Sequence, residues 1–192
     1  MCDENCIAWG LDNISLDEIK DKQVLEVGSF NVNGTLRSGI ERFKPSSYIG
    51  IDIKSGPGVD QICNAEDLVD MFGQESFDFV LSTCLLEHVD NWKLCVSNIK
   101  RVCKRGGYIL TIVPYLYPYH EYPHDYWRFS KSDMIRIFRD CEIVKLDHDY
   151  EISEAEKNIE LSLIYLKCRK PIYFIEANLK KYEVHKMEQH SK

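Results

Sequence analysis

The chain has 192 residues, enough for one domain that buries a core without disulfides or metals. Its 44% hydrophobic and 29% charged residues are those of a globular protein, no apolar run reaches the roughly 18–20 residues a bilayer-spanning helix needs, and the acidic start is unlike a secretory signal. The net charge of −7 argues against broad nucleic-acid binding, which needs a basic face, so the expectation is a cytoplasmic protein with no membrane partner and no general nucleic-acid partner.

Taken in chain order, residues 1–21 carry scattered apolar residues (Ile7, Trp9, Leu11, Ile14, Leu16) and form a candidate cap over a ligand cleft. Gln23–Gly28 reads as a buried strand ending at a glycine, and Leu36, Ile40 and Phe43 recur at helical spacing. Tyr48–Asp52 is a second strand, Glu66–Phe72 a helix and Phe77–Ser82 a further strand. Trp92, Cys95, Val96, Ile99, Val102 and Cys103 trace one helical stripe, with Gly106-Gly107 as its stop signal. Tyr108–Val113 is a continuous apolar run, as in a strand covered on both faces.

Ser130 and Asp133 have the spacing of a capping box before a helix holding Met134, Ile135 and Phe138. Cys141–Asp147 and Ile159–Cys168 are the last strands, and the alternation of Ile159, Leu161, Leu163 and Tyr165 suits an antiparallel edge pair. Pro171–Lys192 reads as a short helix with Ile172, Ile175 and Leu179 on one side, packed on its own domain or, second, forming a dimer contact. Lys100, Arg101, Lys104 and Arg105 read as the solvated end of a helix.

Eight cysteines include no CxxC pair, which argues against a zinc ribbon. Cys63, Cys84, Cys95, Cys103, Cys141 and Cys168 lie mostly among apolar neighbours, where a thiol behaves as a small hydrophobe. Cys2 and Cys6 form a CxxxC without the third cysteine of an iron–sulfur motif.

Chemistry concentrates at strand ends. A glycine where the first strand meets a loop, Gly28, lets backbone approach a ligand closely. Phe30 stands where a dinucleotide fingerprint has its middle glycine, a poor fit to a pyrophosphate. Glu26, two residues before the glycine, suits a ligand carrying an ammonium group. Asp52, closing the second strand, suits a pair of ribose hydroxyls, or simply begins a loop. Asn64-Ala65-Glu66-Asp67 is placed to meet an adenine edge, although helix capping also explains these residues.

These segments follow one another in a telling order: VLEVGS…NG at 24–34, YIGID at 48–52, CNAED at 63–67, FDFVLSTCLLEHV at 77–89 and KRGGYILTIVP at 104–114. The series resembles the ordered motifs of class I S-adenosylmethionine-dependent methyltransferases, particularly the type 11 group, over residues 22 to 148. The resemblance implies one Rossmann-like α/β domain. Its seven-stranded, mostly parallel sheet would have helices on both faces and an antiparallel last strand. Residues 1–21 would be a cap, 22–170 the core and 171–192 a tail. It also implies S-adenosylmethionine as cofactor and S-adenosylhomocysteine as product. Glu26, Gly28 and Ser29 would line the methionine part, Phe30 and Asn33 would also meet the cofactor, and Asp52 would hold the ribose. Ile53, Ala65 and Glu66 would border the adenine, while Ser82, Thr83, Cys84 and Leu85 would lie beneath the sulfonium. Glu87-His88 falls near a helix start, where His88 is structural or borders the substrate.

The acceptor side maps to YLYPYHEYPHDYWRF at 115–129, after a strand end. His120 or His124 would take a proton from a hydroxyl nucleophile, with Asp125 orienting the ring. Tyr115, Tyr119, Tyr126, Trp127 and Arg128 complete the expected acceptor site; packing of the aromatics and an Asp125–Arg128 pair are the alternative. His120-Glu121-Tyr122-Pro123-His124 also matches HExxH, but Pro123 in that turn would cost a helix about 3 kcal/mol, so no zinc-protease site and no metal is expected. The expected reaction is O-methylation of a small molecule or glycan, by a monomer or homodimer. N- or C-methylation of a metabolite and a cofactor-binding pseudoenzyme serving another subunit are the alternatives.

Overall fold

A computed structural model describes residues 4–120, 124–149, 151–153 and 159–187. The first half holds α1 (Glu4–Asp12), α2 (Leu16–Ile19), β1 (Gln23–Val27), α3 (Arg37–Ile40), β2 (Ser47–Asp52), β3 (Gln61–Ile62), α4 (Leu68–Phe72), β4 (Phe77–Thr83) and α5 (Trp92–Val102). The second half holds β5 (Cys103–Leu116), β6 (Trp127–Arg128), α6 (Lys131–Ile137), β7 (Glu142–His148), β8 (Glu151–Ser153), β9 (Ile159–Arg169) and β10 (His185–Lys186). Single 3-10 turns at Glu41–Phe43, Ala65–Asp67 and Leu86–His88 finish the list of helical pieces among the described residues.

The strands lie in the order β3-β2-β1-β4-β5-β9-β7, with β8 paired to the end of β9. β1 through β5 pair in parallel, and β9 runs antiparallel to both β5 and β7. This is the seven-stranded Rossmann-like sheet with its last long strand reversed. From β1 the chain builds outward to β3, then returns to place β4 and β5 on the other side. The order reverses between β1 and β4, and a crevice opens at the carboxyl ends of strands at such a point.

Pleating sorts the strand residues onto two faces. Leu25, Val80, Ile109, Val113, Ile164 and Leu166 face α4, α5 and α6, where Trp92, Val96, Ile99, Met134 and Phe138 complete one buried layer. Val24, Phe79, Leu81, Leu110, Ile112, Leu163 and Tyr165 face the other way, against Cys6, Ile14, Ile19, Leu36 and Ile40 of the segments that hold α1 to α3. Helices therefore cover both faces. The α6 capping box forms as expected: the Asp133 amide donates to Ser130 Oγ (3.2 Å) and the Ser130 amide to Asp133 Oδ2 (2.7 Å).

The expected antiparallel edge pair forms: β9, with residues 162–168 all buried, lies between β5 and β7, and β7 is the border of the sheet. The described part of 1–21 packs on one face of the sheet, tied by Trp9 Nε1 to Asp147 (2.8 Å) and by Lys167 Nζ to Glu18 (2.6 Å). Residues 171–187 are not helical. Ile172 and Ile175 are exposed, while Leu179 and Tyr182 pack on the α5–α6 layer and His185–Lys186 pairs with β6.

The basic cluster is likewise not a solvated helix end. Lys100 is fully buried, with its ammonium on both Asp140 oxygens (2.7 and 2.9 Å) and the Ile137 carbonyl (2.6 Å). Lys104 pairs with Asp78 and Arg105 with Glu75, each at 2.9 Å. None of the described cysteines is in a disulfide, and all are buried except half-buried Cys141. Cys2 lies outside the described residues.

Candidate functional site

A cavity of about 420 Å³ lies at the carboxyl ends of β1, β2 and β4, within the range of roughly 300–1,000 Å³ typical of small-molecule sites. Its first wall is the turn after β1. The amides of Gly28 and Ser29 both donate to the Ile51 carbonyl (2.9 Å each), which bends the chain sharply. Gly28 has φ +78°, and a Cβ there would come within 2.8 Å of Leu85 Cδ1. Phe30 replaces the middle glycine without closing the site, because its ring lies over Gly56, where a Cβ would meet it at 2.1 Å.

Two acids line the same end. Glu26 is 3% exposed and accepts a hydrogen bond from the Tyr48 hydroxyl (2.8 Å). Burial raises its carboxyl to about 7, although Tyr48, Arg37 and Thr35 all act in the opposite direction. Asp52 accepts the backbone amides of Phe30 (3.3 Å) and Lys54 (3.2 Å), so it joins the two loops that flank the crevice. Beyond it, half-exposed Ile53 forms an apolar edge. Asn64 caps the Ala65–Asp67 turn by accepting the Glu66 amide (3.0 Å), which places Ala65 and Glu66 on the cavity wall.

The expected cofactor residues assemble here almost completely. Glu26, Gly28, Ser29, Phe30, Asn33, Asp52, Ile53, Ala65, Glu66, Thr83, Cys84 and Leu85 all line the cavity. Ser82 does not; its hydroxyl is buried against Thr111 Oγ1 (3.1 Å). Its place in a buried strand was the signal that separates it from its neighbours. Asn64, placed by the sequence to meet an adenine edge, also lines the wall, as do Val32, Gly34, Lys54 and Cys63, which were not expected to meet the cofactor.

The acceptor loop divides. His120, His124 and Tyr126 line the cavity, whereas Asp125, Trp127 and Arg128 hold the loop in place. Asp125 is fully buried, and both of its oxygens accept from the Arg128 guanidinium, one at 2.6 Å. Burial raises the Asp125 carboxyl, but hydrogen bonds from Arg128 and His120 outweigh it and hold it well below the ordinary carboxylate range. Arg128 also donates to the carbonyls of Tyr117 (3.1 Å), Trp127 (2.9 Å) and Pro118 (2.8 Å). With those donors engaged it is a loop clamp and not a free anion receptor. Trp127 Nε1 donates to the Val89 carbonyl (2.9 Å). Tyr115 borders a separate shallow cavity, and Tyr119, 37% exposed, lines neither. Residues 121–123 of the HExxH match lie outside the described residues.

His120 is set for proton chemistry. Its Nδ1 lies 3.1 Å from Asp125 Oδ2, its backbone amide donates to the same oxygen (2.8 Å), and its Nε2 is buried with no partner among the described residues. His88, from the Leu86–His88 turn, also lines the cavity and stands edge-on to His120, ring centres 5.1 Å apart. Cys84, at φ +50°, turns the chain out of β4 to put that segment there.

Residues 33–111 match the family model described as a methyltransferase domain. No curated protein sequence matches significantly. Among solved structures the chain is similar to a Bacillus halodurans protein provisionally assigned as a methyltransferase, with a TM-score of 0.66, 18% identity and coverage of 87% of this chain and 99% of that one. It is also similar to an S-adenosylmethionine-dependent methyltransferase from Mesorhizobium loti, with a TM-score of 0.60, 14% identity and coverage of 84% and 100%. A third is phosphoethanolamine N-methyltransferase 2 of Haemonchus contortus, solved with S-adenosylhomocysteine, with a TM-score of 0.60, 12% identity and coverage of 87% and 52%. The match to a methyltransferase domain at residues 33–111 thus falls within a sheet of the Rossmann-like fold that these solved structures share.

Proposed function

We propose that the protein methylates a hydroxyl oxygen of a small polar acceptor, a sugar or a metabolite, using S-adenosylmethionine bound in the cavity between β1, β2 and β4. The residues present fit that cofactor. Glu26 offers a buried carboxylate for an ammonium group, Gly28 leaves space that a Cβ would fill, and Ser29 Oγ is buried with no partner among the described residues. Asp52 would hold the ribose hydroxyls, with Ile53, Ala65 and Glu66 around the adenine. When bound, the cofactor supplies an activated methyl group on a sulfonium centre.

The observation that carries the oxygen-acceptor reading is the pair of histidines at the far end of the same cavity, above all His120 with its unpartnered Nε2. Asp125 accepts the Nδ1 proton and leaves the Nε2 lone pair free for the proton of an acceptor hydroxyl. His124 also lines this space. A nitrogen acceptor arrives with its own lone pair and has less need of a base. Holding acceptor and methyl about 3–3.5 Å apart in a closed cavity supplies much of the remaining acceleration.

The test has two stages. Calorimetric titration with S-adenosylhomocysteine reads the cofactor half, and absence of binding sinks the whole reading. Turnover of S-adenosylmethionine against panels of sugars, hydroxylated metabolites and amines then reads the acceptor. Preference for amines, or cofactor binding with no turnover on any panel, overturns the oxygen-acceptor reading.

A further inference from the structure

We propose that Glu87, His88 and His120 bind a divalent transition-metal ion in the wall of the acceptor end of the cavity. The ion's open positions would face the space where the acceptor sits. Its catalytic use rests on the methyl-transfer reading; its binding does not.

Glu87 and His120 each hold buried ligand atoms with no hydrogen-bond partner among the described residues, and His88 stands next to both. Glu87 is fully buried, and neither carboxylate oxygen has a hydrogen bond among the described residues. A buried carboxylate without donors is costly to hold charged unless a cation answers it. The nearest charged candidate, His88 Nε2, stands off at 3.8 Å from Glu87 Oε1. His88 Nδ1 contacts the His124 carbonyl, so its proton lies there and the Nε2 lone pair is free. His120 repeats the arrangement, with Nδ1 toward Asp125 Oδ2 (3.1 Å) and Nε2 buried and unpartnered. An Nδ1–H held by a carboxylate or carbonyl is the usual second-shell support of a metal-bound histidine.

The donor atoms of the three residues lie within 4.8 Å of one another. An ion with bonds of about 2.0–2.2 Å would draw them inward through side-chain torsions. Two imidazoles and one carboxylate form the donor set of zinc hydrolytic centres and of non-haem iron sites, which leave further positions open. His88 and His120 line the cavity, while Glu87 lies behind them, so those open positions point toward the acceptor.

The HExxH resemblance is therefore only half relevant. His120 would be a ligand, but with the pair from the Leu86–His88 turn and not with His124, whose carbonyl is in the support role. An acceptor hydroxyl bound to the ion would lose its proton at lower pH than when free. His124, which also lines the cavity, would take that proton and pass it to solvent. His120 would be the base only in the metal-free chain.

The test is titration of the chelator-treated, tag-free chain with Co²⁺ and Zn²⁺, read by visible absorption and calorimetry. One equivalent per chain, with a cobalt d–d spectrum and no thiolate charge-transfer band, is expected. Glu87→Gln and His120→Ala should each weaken binding by more than the roughly 10–100-fold that second-shell changes produce, and His124→Ala by far less. S-adenosylhomocysteine binding by each variant shows that it is folded. No stoichiometric binding, a thiolate band, or unchanged affinity in both ligand variants overturns the site. Metal binding without cofactor binding would leave the site standing and sink the methyl-transfer reading; the reverse would sink the site alone.

Discussion

In the proposed reading, Glu26 is one buried side chain that couples cofactor binding to pH. Its carboxyl titrates near 7 in the free chain, because burial outweighs the hydrogen bond from Tyr48. An ammonium-bearing ligand needs the ionised form, so affinity for S-adenosylhomocysteine should fall as pH drops below about 7, approaching about tenfold per pH unit. Isothermal titration between pH 5.5 and 8.5 reads that slope, and Glu26→Gln should flatten it. Stability runs in the opposite direction. The folded value lies above the ordinary 4.5, so the contribution of Glu26 is full below about 4.5 and is lost as pH rises through about 7. Asp52→Ala removes the carboxylate that accepts the amides of Phe30 and Lys54 as well as the proposed ribose contact. At about 1.5–3 kcal/mol for a hydrogen bond to a charged group, cofactor affinity should drop at least about tenfold, measured by the same titration.

At the scale of the elements, three short devices set the site: the turn after β1, the turn after β4 and the clamp within the 115–129 loop. Gly28→Ala tests the first. An alanine at φ +78° costs roughly 1–2 kcal/mol, and its Cβ would press on Leu85 in the cavity wall. Cofactor affinity should therefore fall together with the midpoint of thermal unfolding. Asp125→Asn tests the third. Removing the charge from a fully buried pair leaves the Arg128 guanidinium uncompensated, a change of about 3–5 kcal/mol read by urea denaturation. The loop that carries His120 and Tyr126 would loosen with it. The β4 strand itself was plain in the sequence as FDFVLS, but the strained Cys84 after it was not, since a positive φ at a cysteine has no sequence signal.

For the whole molecule, the decisive feature is the reversal of strand order between β1 and β4, which gathers glycine turn, acids and acceptor loop at one end of the sheet. The chain after β9 contributes too. Leu179 and Tyr182 seal the α5–α6 layer, Tyr182 against Trp92 with ring centres 6.4 Å apart, and β10 pairs with β6 beside the Asp125–Arg128 clamp. Deleting residues 171–192 should lower the midpoint of thermal unfolding and expose the apolar layer to a hydrophobic dye. An unchanged midpoint would show that the tail is dispensable.

Periodicity and motif order in the sequence determined the βα alternation, the two-sided core and much of the cavity wall, because strand ends, glycine turns and capping residues are local features. Gly28 after QVLEV, Asp52 after YIGI and Asn64 before Ala65 each act through their own few residues of backbone. Only the tertiary structure decided which acceptor-loop side chains face the cavity. It also decided that α1 packs on one face of the sheet, that Lys100 is buried on Asp140, and that Glu87 and His88 stand beside His120. Those are contacts between segments far apart in sequence. Burial and pairing there are set by which elements share a sheet face, and no local pattern records it.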